Sequence, residues 1–510
     1  MRNHLPILLV VVPLIAAPAC LLLGNRRLIY LFSLVVAWLT FANSLRLLAT
    51  VLVSGKLRYN IGNWAPPYGI EFVADPLSAF VAMFVSGMAA AVLAYAPRLV
   101  EVEIPAEKQH YFYSLYLTCL TGLLGITLTG DLFNVFVFLE ISSLSSYALI
   151  SLGKDRRAVL ASLQYLFIGS IGATFFLIGV GLLYQVTGTL NMLDIARRLQ
   201  ELEIVNGQGI VMLASTRTLR VALAFMTVGL GIKMAVFPVH KWLPNAYTFA
   251  PNVVTCLLAA TSTKVAVYVL IRLIYGIFTL EFSFDLLPMR YELILLSFLG
   301  IFTASLAAIF QSDVKKILAY SSVAQLGYMV LGVNLISAMG LSGAIVHMFN
   351  HAVIKGALFM VVGCFALRLG SVQLEDWRGA GKRLPWTSFA WVLAGLGLIG
   401  VPLTAGFISK WTLLLALAQE ETWFLAGALV VSSLLAVVYV WRVVEVLYFG
   451  QPSQKVLEAK EAPLSMLVPT YGLILVMMVF GFWTEYSLGI AQQAAATMLE
   501  TATMLKEVAK

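Results

Sequence analysis

Apolar stretches long enough to cross a bilayer follow one another almost without pause along this 510-residue chain. About fourteen can be marked, near 5–23, 28–52, 76–97, 110–129, 130–152, 161–186, 219–237, 250–276, 292–310, 315–336, 340–369, 386–412, 421–449 and 465–488. In lipid every backbone N–H and C=O must be satisfied inside its own element, which leaves helices as the economical way to use such runs. The pattern predicts an all-α polytopic membrane protein. Composition agrees, with 61% of residues hydrophobic and 11% charged, where an ordinary soluble domain has about a quarter charged. The division between the fourth and fifth stretches rests on the Thr-Gly-Asp turn at 129–131 alone.

Against that background, the ionisable residues inside apolar stretches stand out. Lys233 in TVGLGIKMAVFPVHKWLP and Lys410 in LGLIGVPLTAGFISKW each lie beside a Gly/Pro break, and Glu140 lies within DLFNVFVFLEISSLSSY. Such a group at bilayer depth costs roughly 2.5–3.5 kcal/mol on the insertion scale, so each is a functional candidate by default. Gly229, Gly231, Pro238, Gly400, Pro402 and Gly406 surround the breaks, where unwound backbone can line a solvated cavity. The first reading is a path for cations or protons. Lys264, in APNVVTCLLAATSTKVAVYVLIR, lies about 20 Å along its helix from Pro251 at 1.5 Å per residue, too deep for an end anchor. HMFNHAVIK sets His347, His351 and Lys355 at i, i+4 and i+8 on one helix face. A stripe of titratable groups suits a relay, and histidine titrates near neutrality.

Charge distribution orients the chain. Arg26 and Arg27; Lys154, Arg156 and Arg157; Lys315 and Lys316; and Arg368, Arg378, Lys382 and Arg383 fall after odd-numbered spans, which places those loops in the cytoplasm and both termini outside. The 191–220 loop is the exception, with Arg197, Arg198, Arg217 and Arg220 partly offset by Asp194, Glu201 and Glu203. Basic residues scattered among loops give no nucleic-acid surface. Arg2 precedes an apolar run, but without a small-residue cleavage site this reads as the first span. Cys20, Cys119, Cys256 and Cys364 are isolated in apolar segments and read as packing, so no cofactor or metal is expected.

The series from Glu140 to the broken helix at Lys233 is followed by a second series ending in the broken helix at Lys410. Paired broken helices in corresponding halves mark a repeat-built transporter with its site near the midplane.

The strings DLFNVFVFLE, GIKMAVFPVHKWLP, TSTKVAVY, QSDVKKILAYSSVAQLGYM, HMFNHAVIKGALFM and GVPLTAGFISKW strongly resemble the antiporter-like proteins shared by Mrp-type cation/proton antiporters, respiratory complex I and membrane-bound hydrogenases. The resemblance runs from about residue 62 to about 450, and GNWAPPYGIEFVADPLS is similar in particular to Mrp D subunits. It implies fourteen helices containing two inverted five-helix repeats. The divisions would be 1–109 (helices one to three), 110–276 (first repeat), 277–450 (second repeat) and 451–510 (last helix and short amphipathic tail). The resemblance further implies that Glu140 and Lys233 are the gating acid–base pair, Lys264 the central lysine, His347 and His351 the connecting axis, and Lys410 the exit residue. The largest relatives carry a long lateral helix, and a chain running to Lys510 with one short tail does not fit them.

The same residues admit plainer readings. Glu140 would be a structural acid satisfied by Ser143, Lys233 and Lys410 snorkelling side chains, Lys264 a structural partner, His347 and His351 helix bridges, and Lys355 an anchor. His240 reads as structural, and Asp75 and Asp131 as helix starters. Burial disfavours an ammonium and a nearby carboxylate favours it, so opening the Glu140–Lys233 pair would drive a proton toward Lys264, then past His347 and His351 to Lys410. The functional classes are a sodium/proton antiporter subunit, a proton-pumping subunit of an NADH-quinone oxidoreductase or hydrogenase, and a membrane scaffold. Expected partners are other membrane subunits, protons, sodium and the lipid of a bacterial inner membrane, and no redox chemistry is expected in the chain itself.

Overall fold

The computed structural model describes residues 4–205, 213–278, 280–284 and 289–507. Arg2, Lys510, the 206–212 part of the 191–220 loop and the Glu203 side chain lie outside the described residues. The chain runs through α1 (Leu5–Leu22) and α2 (Arg26–Ser54) into an antiparallel hairpin of β1 (Leu57–Asn60) and β2 (Glu71–Ala74), with Leu57 opposite Ala74. The hairpin delivers Asp75 to the start of α3 (Pro76–Tyr95), where its carboxylate accepts the Ser78 amide at 2.9 Å and the Ser78 hydroxyl accepts the Asp75 amide at 2.8 Å. This reciprocal cap is the helix-starting role expected of Asp75.

Next come α4 (Pro97–Glu103), α5 (Gln109–Leu128), α6 (Leu132–Ser151), α7 (Arg156–Thr187), an amphipathic α8 (Met192–Val205), α9 (Leu213–Met234), α10 (Trp242–Phe249), α11 (Asn252–Ala260) and α12 (Ser262–Gly276). The second half contains the short α13 (Leu280–Phe284), α14 (Met289–Ile309), α15 (Val314–Asn334), α16 (Ala338–Leu369), α17 (Pro385–Ile399), α18 (Ala405–Gln419) and α19 (Trp423–Phe449). It is followed by α20 (Gln454–Glu458), α21 (Leu464–Phe482) and α22 (Thr484–Glu507). Among the described residues, 12 helices are long and apolar enough to span a membrane. The two remaining expected spans, 219–237 and 386–412, are the lysine-bearing segments that break.

The break expected beside Lys410 is present: the 386–412 span is two helices, α17 and α18, because Gly400 takes a left-handed φ of 87° and stops the first of them. Two other expectations need correction. The 250–276 span is interrupted at Thr261 (φ −122°, ψ −61°), so Lys264 stands in the first turn of α12 and not deep in one continuous helix. The tail beyond the last span is the 24-residue α22, which packs back on α3, α12 and α16 and buries Ala491, Ala494, Ala495 and Met498.

The two halves use one device on opposite faces. Asp131 caps α6 by accepting the Asn134 amide at 2.8 Å and pairs as an isolated bridge with Asn191, beyond the 32-residue α7. Asp313 caps α15 by accepting the Lys316 amide at 3.1 Å and pairs with Gln373, beyond the 32-residue α16. Both long helices end on a left-handed glycine, Gly188 (φ 67°) and Gly370 (φ 68°), the residue that takes this conformation without a Cβ clash. The second device lines a cavity together with Lys154, which lies just past the far end of α6. It is therefore on the face opposite Asp131, as inverted repeats require.

Backbone contacts hold some of these helices as pairs. A Cβ on Gly229 of α9 would lie 2.5 Å from the Gly172 carbonyl oxygen of α7, and a Cβ on Gly122 of α5 would lie 2.6 Å from the Ser142 amide nitrogen of α6. In the second half a Cβ on Gly406 would fall against the Gly397 carbonyl oxygen, closing α18 onto α17. Gly406→Ala must separate the two half-helices at the break, and overpacking of this kind costs about 1–3 kcal/mol. The expected result is a lowered unfolding temperature for the detergent-solubilised protein, while alanine at the uncrowded Gly427 leaves it unchanged.

Candidate functional site: a buried line of lysines and histidines

On α6, Glu140, Ser143 and Tyr147 stand at i, i+3 and i+7 and face the last turn of α9. Lys233 Nζ lies 3.4 Å from Glu140 Oε1, donates to Ser143 Oγ at 2.7 Å and approaches Tyr147 OH at 3.5 Å. The lysine is buried, whereas the Glu140 side chain keeps 24% of its surface. Lys233 does not snorkel. The backbone unwinds after it, with Ala235 at φ 59°, and the indole of Trp242 donates to the Ile232 carbonyl at 2.9 Å. That indole stacks on Tyr165 at 3.7 Å between centroids, and Tyr165 meets Tyr147 edge-on at 4.6 Å. An aromatic ladder thus joins the break to a hydroxyl beside the Lys233 ammonium. Beyond Lys233, Ser142, Ser143, Ser146 and Ser262 share a cavity of about 20 Å³ that reaches α12, a volume suited to one water molecule.

Lys264 is fully buried and donates across the Thr261 interruption to the Ala259 carbonyl, with Thr263 Oγ1 at 3.4 Å. On α16 the expected stripe is present and buried. His347 Nδ1 and Ser409 Oγ are 2.8 Å apart, and the two imidazoles lie 5.9 Å apart and 15° from parallel. Lys355 is no interface anchor: it is buried and donates to the Leu318 carbonyl at 2.8 Å and to Ser321 Oγ. Lys410 reaches back over its break to the Leu398 and Ile399 carbonyls at 3.1 and 2.8 Å, the negative end of α17. Its Nζ also stands 5.2 Å from the centre of the Tyr328 ring, whose hydroxyl bonds Ser432 Oγ at 2.6 Å. Among the described residues Lys233 has a carboxylate within 4 Å, while Lys264, Lys355 and Lys410 are held by carbonyls, hydroxyls and an aromatic face.

All six residues named from sequence are therefore placed on connected elements, and Lys355 joins them. Tyr147, Tyr165, Trp242, Ser409 and Tyr328 were missed, because their role depends on contacts between helices that no spacing within one helix reveals. His240 stays half-buried in the break, 5.7 Å from the Phe237 ring. Lys315, counted as a loop charge, is instead buried under the α10–α11 corner and donates to the Ala250 carbonyl at 2.6 Å. Beside it Glu103 caps α11, accepting the Asn252 amide at 2.7 Å. Burial pushes the Glu103 carboxyl up, against the opposing pull of the Lys315 ammonium and the Asn252 donors. Both groups line a cavity of about 490 Å³ together with Lys154, Arg157 and Asp313.

A polytopic bundle with two broken helices and a buried lysine–histidine line defines a class of ion-translocating membrane subunit. Residues 129–436 match the NADH:quinone oxidoreductase/Mrp antiporter transmembrane family, and the chain belongs to that family. It is 41% identical to the NADH-quinone oxidoreductase subunit N of Desulforudis audaxviator over 95% of this chain and 97% of that one. It is 31% identical to the D subunit of the Na(+)/H(+) antiporter of Alkalihalophilus pseudofirmus, over 99% and 100% of the two chains. Its fold superposes on a chain of the Mrp complex from Dietzia sp. DQ12-45-1b with a TM-score of 0.88 at 25% identity, covering 100% and 99%.

The aromatic ladder separates stacking from hydrogen bonding. Trp242→Phe keeps a ring on Tyr165 and removes one of the two donors to the Ile232 carbonyl, which keeps the Ala235 amide at 3.1 Å, a loss of about 0.5–1.5 kcal/mol. Trp242→Ala also removes the ring, and large-to-small changes of this kind cost about 3–5 kcal/mol. Thermal unfolding of the solubilised variants is expected to rank wild type, Phe, Ala in that order.

Proposed function

We propose that this chain is the proton-translocating subunit of a multisubunit sodium/proton antiporter, with Glu140 and Lys233 as its gate and Lys264, His347, His351 and Lys410 as its path. The observation that carries this reading is the pairing of one half-buried carboxylate with the first of several buried basic groups that otherwise have neutral partners. A carboxylate at 3.4 Å stabilises the Lys233 ammonium. When the pair opens, that stabilisation is withdrawn from a group that cannot be solvated, and the proton moves through the serine-lined cavity toward Lys264. His347, His351 and Lys355 then offer nitrogen sites along one face of α16 on the way to Lys410. Reclosure of the pair favours uptake of the next proton.

The Na(+)/H(+) antiporter name of the full-length relative supports this assignment. A second reading, a membrane-arm subunit of an NADH-quinone oxidoreductase, is favoured by the 41% identity to a chain of that name. Proton translocation by this chain is common to both. The face bearing Lys154, Lys315 and Arg368 is assigned to the cytoplasm and both termini to the outside, following the loop charges.

Glu140→Ala and Lys233→Ala are each expected to abolish transport by the assembled complex without loss of the subunit, with partial activity in Glu140→Asp. Wild-type turnover in both alanine variants would remove the gate. At the histidines, Gln keeps hydrogen bonding but does not titrate near neutrality. His347→Gln and His351→Gln should slow transport per assembled complex, whereas a purely bridging role predicts unchanged turnover with Gln and less assembled complex with Ala, at about 1–3 kcal/mol per unpaired group.

A further inference from the structure

The helix that carries the central lysine also carries a line of groups leading away from it. Lys264, Tyr268 and Arg272 stand at i, i+4 and i+8 on α12, one face over about 12 Å. This line leads to the face of the molecule that bears the β-hairpin. Lys264 would thus have a short way out to that face, bypassing the histidines altogether, unless something closes it.

What stands in the way is a guanidinium. Arg272 donates to both carboxylate oxygens of Asp75, at 2.6 and 2.5 Å, and its Nε donates to Tyr268 OH at 2.9 Å. The Tyr268 hydroxyl in turn donates to the Thr127 carbonyl at 2.7 Å, so its proton is committed. Asp75 is buried and fixed by its own capping of α3. Directly beyond lies a cavity of about 80 Å³ lined by Tyr268, Arg272, Asp75, Glu71, Lys56 and Arg58. One layer of side chains therefore separates that cavity from the turn above Lys264. A guanidinium cannot be deprotonated in a protein, so it cannot hand a proton on, and its bonds to both oxygens of Asp75 occupy that carboxylate as well. Lys56 lines the same cavity, and Arg58 is paired there with Glu71 at 3.6 Å.

Among the described residues the other half lacks this arrangement. From Lys410 the helix continues as WTLLLALAQ without a charged residue to Glu420, which pairs with Arg290 at 2.6 Å. Arg290 opens α14, the next long helix after α12, so this pair lies on the same face as Arg272. It remains more than a quarter exposed on both sides, at the surface and not between Lys410 and the solvent-facing end.

We propose that the Arg272–Asp75 pair is a seal that closes the hairpin-side end of the Lys264 line, forcing charge on Lys264 to continue sideways to the α16 histidines and leave at Lys410. The inference rests on the proton path proposed above and adds to it the element that prevents a short circuit. Arg272 acts here as a barrier and positioning residue.

The test is passive proton leak, read with a pH-sensitive dye under an imposed potential, in vesicles containing the assembled complex with no coupling cation or redox substrate. The double variant Asp75→Asn/Arg272→Gln removes both charges and keeps a hydrogen-bonding pair. It should raise the leak about tenfold or more. Adding Lys264→Ala should return the leak to the wild-type level, a reversal that general loosening of the bundle would not give. A double variant as tight as wild type, or a leak that persists with Lys264→Ala, overturns the seal. If the double variant does not assemble, Arg272→Gln alone is read by the same criteria. Lys264→Ala in the otherwise native complex reports separately on the path: unchanged coupled turnover there would sink the path reading, whatever the leak measurements give.

Discussion

A buried ammonium needs oxygen around it, and in this chain much of that oxygen comes from backbone at points where helices stop or falter. Lys264 reaches the Ala259 carbonyl across the Thr261 interruption, Lys410 reaches the last carbonyls of α17, and Lys315 reaches Ala250 at the corner between α10 and α11. Each break leaves carbonyls that no helical amide claims; Lys264 and Lys315 each take one, and Lys410 takes two. The cost of desolvating a charge and the cost of interrupting a helix are thereby set against each other. Lys355 is different: its carbonyl belongs to the second turn of α15, away from any break, and a serine hydroxyl supplies the second oxygen. Lys233 differs again, since its partners are side chains of α6.

This explains which parts were legible in the sequence. Spans, breaks and buried charges are one-dimensional: Lys233, Lys410 and Glu140 stand out because nothing near them in sequence is charged, and His347, His351 and Lys355 because their spacing matches a helix. The interruption at Thr261 was invisible, since TCLLAATSTKVAVY contains neither Gly nor Pro and the distortion is stabilised by the Lys264 contact itself. The burial of Lys315 was hidden for the opposite reason. Next to Lys316 it reads as a loop charge, and one of the two turns under the protein while the other caps against Asp313 through its amide. The aromatic ladder at Trp242 needed the crossing of α7 with α10, which depends on tertiary packing.

The repeated device also shows where the halves part company. Glu140 lies nine residues after its capping Asp131; nine residues after Asp313 comes Ser322, whose hydroxyl is turned to the Leu318 carbonyl. Equivalent helices thus carry an acid in one half and a neutral hydroxyl in the other. Among the described residues, the carboxylate within 4 Å of a lysine on this line belongs to the first half, and the second half has carbonyls where the first has a charge.

The glycine contacts add a mechanical consequence. Gly122 locks α5 to α6 backbone against backbone, and Gly172 with Gly229 does the same for α7 and α9. Between α6 and α7, by contrast, the close approach at Gly169 is made by the Tyr147 side chain, and the Ser162 hydroxyl of α7 donates to the Tyr147 carbonyl at 2.6 Å. The bundle in this region is therefore two backbone-locked planks joined through side chains, with Glu140 on one plank and Lys233 on the other. A movement of one plank against the other would act on the ion pair directly, without bending any helix.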